Sequence, residues 1–238
     1  MPSVLLRALL TSTLALATLP ALALEPFVAT YQAYNGGKLA GSATMKVTQR
    51  AGEQWQIDLG IRGTRGFARL ARLNIEQSTV FDAQGDQYRP LTQATVQRAI
   101  FTGKRMVGTY DWQAGTAQWQ GDIKKSRRAP LPLVPGDLSA LLMNLAVIRD
   151  AAPDKQLSYR VVDNGRVREY DYAVAAQTEI VEVEGLSYDA MRVARTNGGN
   201  DEQFFWVAQG VPTPVRILQR EDGEDAIDLR LVDYQGVQ

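Results

Sequence analysis

Hydrophobic and polar residues alternate along most of this chain. Segments rich in Val, Ile, Thr, Tyr and Trp are cut at short intervals by turn pairs: Asn35-Gly36, Gln84-Gly85, Ala114-Gly115, Asn164-Gly165, Glu184-Gly185, Asn197-Gly198 and Asp222-Gly223. A period of two puts every second side chain on one face, and Gly-containing pairs reverse the chain tightly, so the pattern predicts antiparallel hairpins. Strands are predicted over 26–34, 38–49, 54–62, 70–81, 87–101, 104–112 and 116–124. A second series follows over 156–163, 166–176, 178–184, 187–196, 202–208, 214–221 and 225–234.

Two hairpins carry a testable register. A turn at Ala114-Gly115 pairs Trp112 with Ala117, Tyr110 with Trp119, Gly108 with Gly121 and Met106 with Ile123. One face is then apolar and the other polar, with two facing glycines leaving a gap. A turn at Asn164-Gly165 pairs Tyr159 with Tyr170 and Leu157 with Tyr172, and sets Arg160 against Glu169 and Asp163 against Arg166. Aromatic meets aromatic and opposite charges meet.

One stretch breaks the alternation. Over 137–150 the apolar spacing becomes helical: Leu138, Leu141, Leu142, Leu145 and Ile148 form a stripe at i, i+3, i+4 and i+7. Asp137 reads as its N-cap after Pro135-Gly136, and Pro153 closes the run. Ala140, Met143 and Val147 lie on the far side, and only Ser139, Asn144 and Arg149 are polar before the end. Such a helix needs cover on two sides. The chain's own core is the first candidate for the far side, and an apolar ligand or a docked partner the others.

The predicted fold is therefore mainly β: a large curved antiparallel sheet, or half-barrel of hairpins, with one apolar α-helix packed on its concave face. Residues 24–238 form a single domain on this reading, its two β segments (24–128 and 154–238) joined by the helix at 137–150. The stretch from Lys124 to Pro135, with three prolines, is the clearest joint.

The first residues, 1–23, read as a cleaved secretory signal: Arg7, an apolar run from Ala8 to Leu19, Pro20, then Ala21-Leu22-Ala23. This points to the periplasm, with no transmembrane segment after cleavage. The chain has no histidine and no cysteine, which removes Ser-His-Asp and Cys-His catalysis, disulfides and the usual zinc or copper ligands. Neither a cofactor nor a metal site is expected, and a carboxylate-based hydrolase is the least favoured reading.

Formal net charge is +0, but it is unevenly placed. Residues 24–130 hold 15 Lys+Arg and 8 Asp+Glu (+7), and residues 131–238 hold 10 and 18 (−8). Two complementary halves explain this, or a dipolar surface turned toward an anionic membrane or partner. The balanced total argues against nucleic acid. Lys124, Lys125, Arg127 and Arg128 are candidates for anionic head-group contact. The acidic run Glu221–Asp225 lacks the alternating spacing of a calcium loop.

Several pieces together carry a family resemblance: the export signal, Phe27-Val28-Ala29-Thr30-Tyr31, Gly41, Glu76–Phe81 leading to Tyr88-Arg89-Pro90, Gly136-Asp137-Leu138-Ser139, Phe205-Trp206 and Pro214-Val215-Arg216-Ile217. The chain resembles an exported domain-of-unknown-function family of Gram-negative bacteria, and more distantly the half-barrels of periplasmic lipoprotein carriers. The first resemblance implies a compartment and an architecture but no mechanism. The second implies an acyl-chain shelter under a helix. The expected function is a non-catalytic periplasmic protein binding an apolar or lipidic ligand between sheet and helix, through Leu141, Met143, Leu145, Ile148, Tyr110 and Trp119. The alternative is a protein-interaction module of envelope assembly, with the far side of the helix as its docking face.

Overall fold

The computed structural model describes residues 24–66, 74–84, 87–99 and 103–236. The expected signal, 1–23, lies outside them. Before the helix come β1 (Phe27–Asn35), β2 (Lys38–Gln49), β3 (Gln54–Gly63), β4 (Asn74–Gln84), β5 (Gln87–Arg98), β6 (Gly103–Asp111), β7 (Thr116–Gly121) and a two-residue β8 (Leu131–Pro132). The helix α1 (Met143–Asp150) follows. Then come β9 (Gln156–Asp163), β10 (Arg166–Val183), β11 (Leu186–Arg195), β12 (Asp201–Ala208), β13 (Arg216–Glu221) and β14 (Glu224–Gly236). The strands expected over 166–176 and 178–184 are one strand, β10, bent by a bulge between Val174 and Thr178.

All fourteen strands join one antiparallel sheet, ordered β8-β7-β6-β5-β4-β3-β2-β1-β14-β13-β12-β11-β10-β9. Neighbours in the sheet are consecutive in sequence except β1 and β14, which pair with Tyr31 opposite Leu231 and Ala33 opposite Leu229. The first and last described strands thus meet in the interior of the sheet. Its two edges, β8 and β9, are consecutive in sequence on either side of the helix. Further bulges at Thr30/Tyr31, Ala33/Tyr34, Val80/Phe81 and Gln219/Arg220 bend and twist the strands, which curls the sheet toward a barrel.

Alternation decides what goes inside. Phe27, Ala29, Tyr31 and Ala33 of β1 are buried, and on β2 the residues facing the first three of them are Val47, Met45 and Ala43. The same face continues through Ile57, Phe81, Tyr172, Phe205, Ile217 and Leu231, all in one core cluster with Leu141, Leu142, Met143, Leu145, Ala146 and Val147 of the helical segment. The far side of α1 is therefore core: Met143 is 4% exposed and Val147 0%, and the Met143 sulfur lies 3.2 Å from the Tyr172 hydroxyl, which donates to Gln203 Oε1 at 2.7 Å. It is not an open face for a partner. Each such buried apolar side chain is worth about 1.5–3 kcal/mol.

The helix is shorter than its apolar spacing predicts. It begins at Met143 rather than at 137, because the preceding residues are recruited elsewhere. Leu138 forms a parallel bridge with Val161, and Asp137 is buried against Arg160 instead of capping. The N-cap is Leu142, which has no side-chain cap; Ser139 Oγ accepts the Leu142 amide at 3.3 Å within the turn that leads into the helix.

The Asn164-Gly165 hairpin has the predicted register, including Tyr159 with Tyr170 and Leu157 with Tyr172. Its predicted ion pairs do not form: Arg160 turns to Asp137 and Asp163 to Gln93. The other hairpin is shifted by two residues, with Tyr110 opposite Ala117, Gly108 opposite Trp119 and Met106 opposite Gly121. The cause is local. The Asp111 Oδ1 accepts the amides of Gln113 and Ala114 at 3.0 and 2.8 Å, an Asx turn that widens the loop to four residues. A two-residue slip keeps each side chain on its face. The expected gap between facing glycines is absent, because the Trp119 indole lies over Gly108 and fills it. A Cβ on Gly108 would sit 2.7 Å from Trp119 Cε2 and 3.0 Å from its Cδ1, and closer still to Nε1.

Gly108→Ala should therefore displace a buried ring, lowering stability by about 1–3 kcal/mol. Calorimetry should show the fall together with a changed Trp emission spectrum.

Candidate functional site

The sheet's two edges never pair with each other, and the segment between β8 and α1 seals the seam. The Pro135-Gly136 turn, with Gly136 at φ +92, drives Asp137 inward. Its fully buried carboxylate accepts Arg160 Nη1 at both oxygens, 2.5 Å to Oδ1, and the Val134 amide at 2.8 Å. Leu138 then docks on the open edge of β9. Its amide donates to the Arg160 carbonyl at 3.0 Å and its carbonyl accepts the Val162 amide at 2.9 Å.

Beyond that bridge the sheet overlaps itself. Val161 and Val162 point to opposite faces of β9 and end in different clusters: Val161 in the main core, Val162 beside Tyr110, Ala117, Trp119 and Ile123. Two side chains stitch the overlap. Gln93 Nε2 donates to Asp163 Oδ1 at 2.5 Å, and the Tyr110 hydroxyl donates to the Val162 carbonyl at 2.6 Å while lying 3.1 Å from Gln93 Oε1. Burial raises the Asp163 carboxyl above the usual carboxylate range, against the pull of the Gln93 bond. Burial likewise raises the Tyr110 phenol, reinforced by the charges of Asp163 and Asp137. Trp119 Nε1 is buried with no hydrogen-bond partner among the described residues.

Beside the seam lies a cleft of about 260 Å³ lined by Gln87, Tyr88, Arg89, Trp112, Pro135, Gly136, Leu138 and Arg149. The start of β5, the turn after β6, the seam segment and the end of α1 each supply a wall. Tyr88 is held edge-on to Phe81, centroids 5.5 Å apart, and the Trp112 indole donates to the Pro90 carbonyl at 2.7 Å. Two guanidiniums lie over these rings: Arg149 4.9 Å from the Tyr88 centroid and Arg89 5.9 Å from that of Trp112. Arg149 also donates twice to Asp150, each bond 2.7 Å, and Arg89 pairs with Asp82 at 2.6 Å. Planar cations fixed over aromatic faces can offer an anionic group hydrogen bonds beside an apolar wall. Among the described residues no group of three or more acidic side chains is placed to hold a metal ion.

The six residues expected to line a ligand site do not converge on one space. Leu141, Met143 and Leu145 are buried in the main core and Ile148 packs against it, whereas Tyr110 and Trp119 belong to the smaller cluster. Lys124, Lys125 and Arg128 are exposed and Arg127 is half-buried, on a turn containing a 3₁₀ stretch at Lys125–Arg127. The cleft residues Tyr88, Arg89, Trp112 and Arg149 carry no local motif. The signal available was their combination, two aromatics and two arginines at element ends, which only the curl of the sheet brings together.

Fold and cleft together define a barrel-like antiparallel β domain with a helix-plugged seam. The chain belongs to the family described as "Protein of unknown function (DUF3108)", whose model matches residues 30–230. No curated protein matches the sequence. The chain is similar in fold to the crystal structure of a β-barrel-like protein of domain of unknown function DUF1849 from Brucella abortus, with a TM-score of 0.56, 14% identity, and coverage of 90% of this chain and 99% of that one. A DUF1089 family protein from Pseudomonas aeruginosa matches at a TM-score of 0.33 and 12% identity, over 82% and 90% of the two chains.

A carboxyl whose folded pKa is raised costs stability at neutral pH, and that cost disappears as pH falls through the folded and then the unfolded value, near 3.9 for the latter. Relative to Asp163→Asn, the native protein should therefore gain in thermal midpoint as pH is lowered from 7 toward 4. Parallel midpoint curves would show that Asp163 is not buried as a charge.

Proposed function

We propose that this is a non-catalytic periplasmic binding protein whose ligand sits at the margin between sheet and helix, in the seam cleft rather than beneath α1. The observation that carries the reading is the cleft's composition, two fixed aromatic rings and two guanidiniums beside Leu138, Pro135 and Gly136. An amphipathic ligand suits it, with an apolar part against Tyr88, Trp112 and Leu138 and an anionic end at Arg89 and Arg149. At about 260 Å³ the space is just below the usual range for small-molecule pockets, roughly 300–1,000 Å³. It therefore takes a head group or a short acyl segment, not a whole lipid. Export rests on the pattern of residues 1–23, and the non-catalytic reading on the missing His and Cys together with acids tied up in pairs: Asp137 with Arg160, Asp150 with Arg149, Asp228 with Arg216 and Arg230.

Titration with decanoate and with a short-chain phosphatidylglycerol, followed by Trp fluorescence and native mass spectrometry, tests this. Arg89→Ala and Tyr88→Ala should each weaken the better probe about tenfold, a loss of about 1.4 kcal/mol; the thermal midpoint should stay nearly unchanged in Arg89→Ala and fall in Tyr88→Ala, which also strips a ring packed on Phe81. Equal affinity in native protein and both variants would remove the cleft as the site.

A further inference from the structure

A second feature lies at the other end of β6, away from the Trp112 turn, and stands independently of the cleft. The turn after β7 carries Lys124, Lys125, Arg127 and Arg128, and β10 begins with Arg166 and Arg168. Folding brings the two segments together. Gly165, in the turn before β10, lies against the Arg127 backbone so closely that a Cβ there would be 2.7 Å from Arg127 Cβ and 3.0 Å from its carbonyl carbon. Only glycine fits, for that reason and because the position is at φ +64. The nearby charges of Arg127 and Arg168 help push the Arg166 guanidinium below its usual value, after local desolvation.

The basic turn is held in place. Gln118 Nε2 donates to the Arg128 carbonyl at 3.1 Å, Arg128 Nη2 donates to the Gly121 carbonyl at 3.3 Å, and the Arg127 amide donates to the Lys124 carbonyl at 2.9 Å. No carboxylate forms an ion pair with any of these six cations among the described residues. Arg89, Arg98, Arg149, Arg160, Arg216, Arg220 and Arg230 have such partners, while scattered cations such as Lys38 and Lys46 on β2 also lack them among the described residues. The nearby Asp122 accepts the backbone amide of Arg105 at 2.8 Å. Asp163, opposite Arg166 in register, turns inward to Gln93. The Asp163 charge still acts on Arg168 at longer range, but six cations outnumber the carboxylates near them, and an external anion relieves the remaining repulsion.

We propose that Lys124, Lys125, Arg127, Arg128, Arg166 and Arg168 form a docking face for an anionic phospholipid surface. A 3₁₀ turn advances about 120° per residue and so fans its side chains apart, while Arg166 and Arg168 share one face of their strand at a spacing of two. The cations are thus spread out rather than focused on one point. A spread array matches a field of phosphate head groups better than it matches a single enclosed anion. From the proposed function this inference takes only export, which brings the protein to a membrane surface; it makes no use of the cleft.

The test is sedimentation of the purified protein with vesicles of phosphatidylglycerol and phosphatidylethanolamine, against vesicles of phosphatidylcholine alone. Binding to the anionic vesicles should exceed binding to the neutral ones and fall as salt shortens the screening length. Loss of one cation at such a surface weakens binding roughly fivefold. Lys124→Gln/Lys125→Gln and Arg166→Gln/Arg168→Gln should therefore each lower it about 25-fold. Lys38→Gln/Lys46→Gln, an equal charge change on exposed positions of β2, should leave binding within about threefold, less than one interfacial cation is worth. Should one rim variant fail to fold, the other carries the comparison. Failure to bind anionic vesicles, an equal loss in the β2 variant, or tripolyphosphate binding as tight as vesicle binding would each overturn the proposal. A cleft variant that loses its ligand but keeps vesicle binding separates the two sites.

Discussion

An open sheet of fourteen strands has two edges whose backbone groups lack partners, and everything distinctive in this protein follows from how those edges are dealt with. Because β1 pairs with β14, the first and last described strands sit in the interior of the sheet, and its edges, β8 and β9, flank the helix in sequence. The crossover from β8 to β9 is thus the one segment that can reach both. It lends Leu138 to the free edge of β9 for two backbone hydrogen bonds, seats Asp137 under Arg160, and then coils into α1 inside the curl. The first turns of the helix, Met143 to Val147, are buried because they form a plug, and its polar end, Arg149 and Asp150, reaches the cleft at Arg149.

Sealing by overlap rather than by pairing has an energetic signature. A continuous ladder would satisfy its groups with backbone bonds alone. Here side chains do part of that work, the Tyr110 hydroxyl on the Val162 carbonyl and the Gln93 amide on Asp163. Buried polar contacts of this kind add modest net stability when complete, yet losing one partner is costly. Asp137 with Arg160 follows the same rule: the pair contributes little over an apolar substitute but fixes one arrangement of the crossover. The cleft is a by-product of this closure, since its walls come from the crossover, α1 and the strand ends that they meet.

The Brucella abortus β-barrel-like structure is similar to this architecture, and neither it nor the family brings an activity. What the chain can do must therefore be argued from its surfaces. Two stand out on different grounds: the aromatic and guanidinium cleft beside the seam, and the unpaired cations at the opposite end of β6. The first is concave and mixed in character, the second spread out and of one charge, so they suit different occupants.

Much of the fold is legible in the residues alone because its information is local. Alternation located β2 and β9 at their observed limits, the Asn164-Gly165 pair gave its hairpin the right register, and i, i+3, i+4 spacing marked the apolar helical segment. The errors share a cause. Asp111's Asx turn moved one hairpin by two residues, Leu138 left the helix to bridge a strand, and Arg160 and Asp163 abandoned their cross-strand neighbours. In each case a competing hydrogen bond won, and in the last three its partner is distant in sequence. The cleft was illegible for the same reason: Tyr88, Trp112 and Arg149 meet only when the sheet curls and the crossover returns. Periodicity reports which face a side chain occupies, since that is a property of neighbouring residues. Which faces then meet depends on the accumulated bend of many strands, and that exists only in the folded molecule.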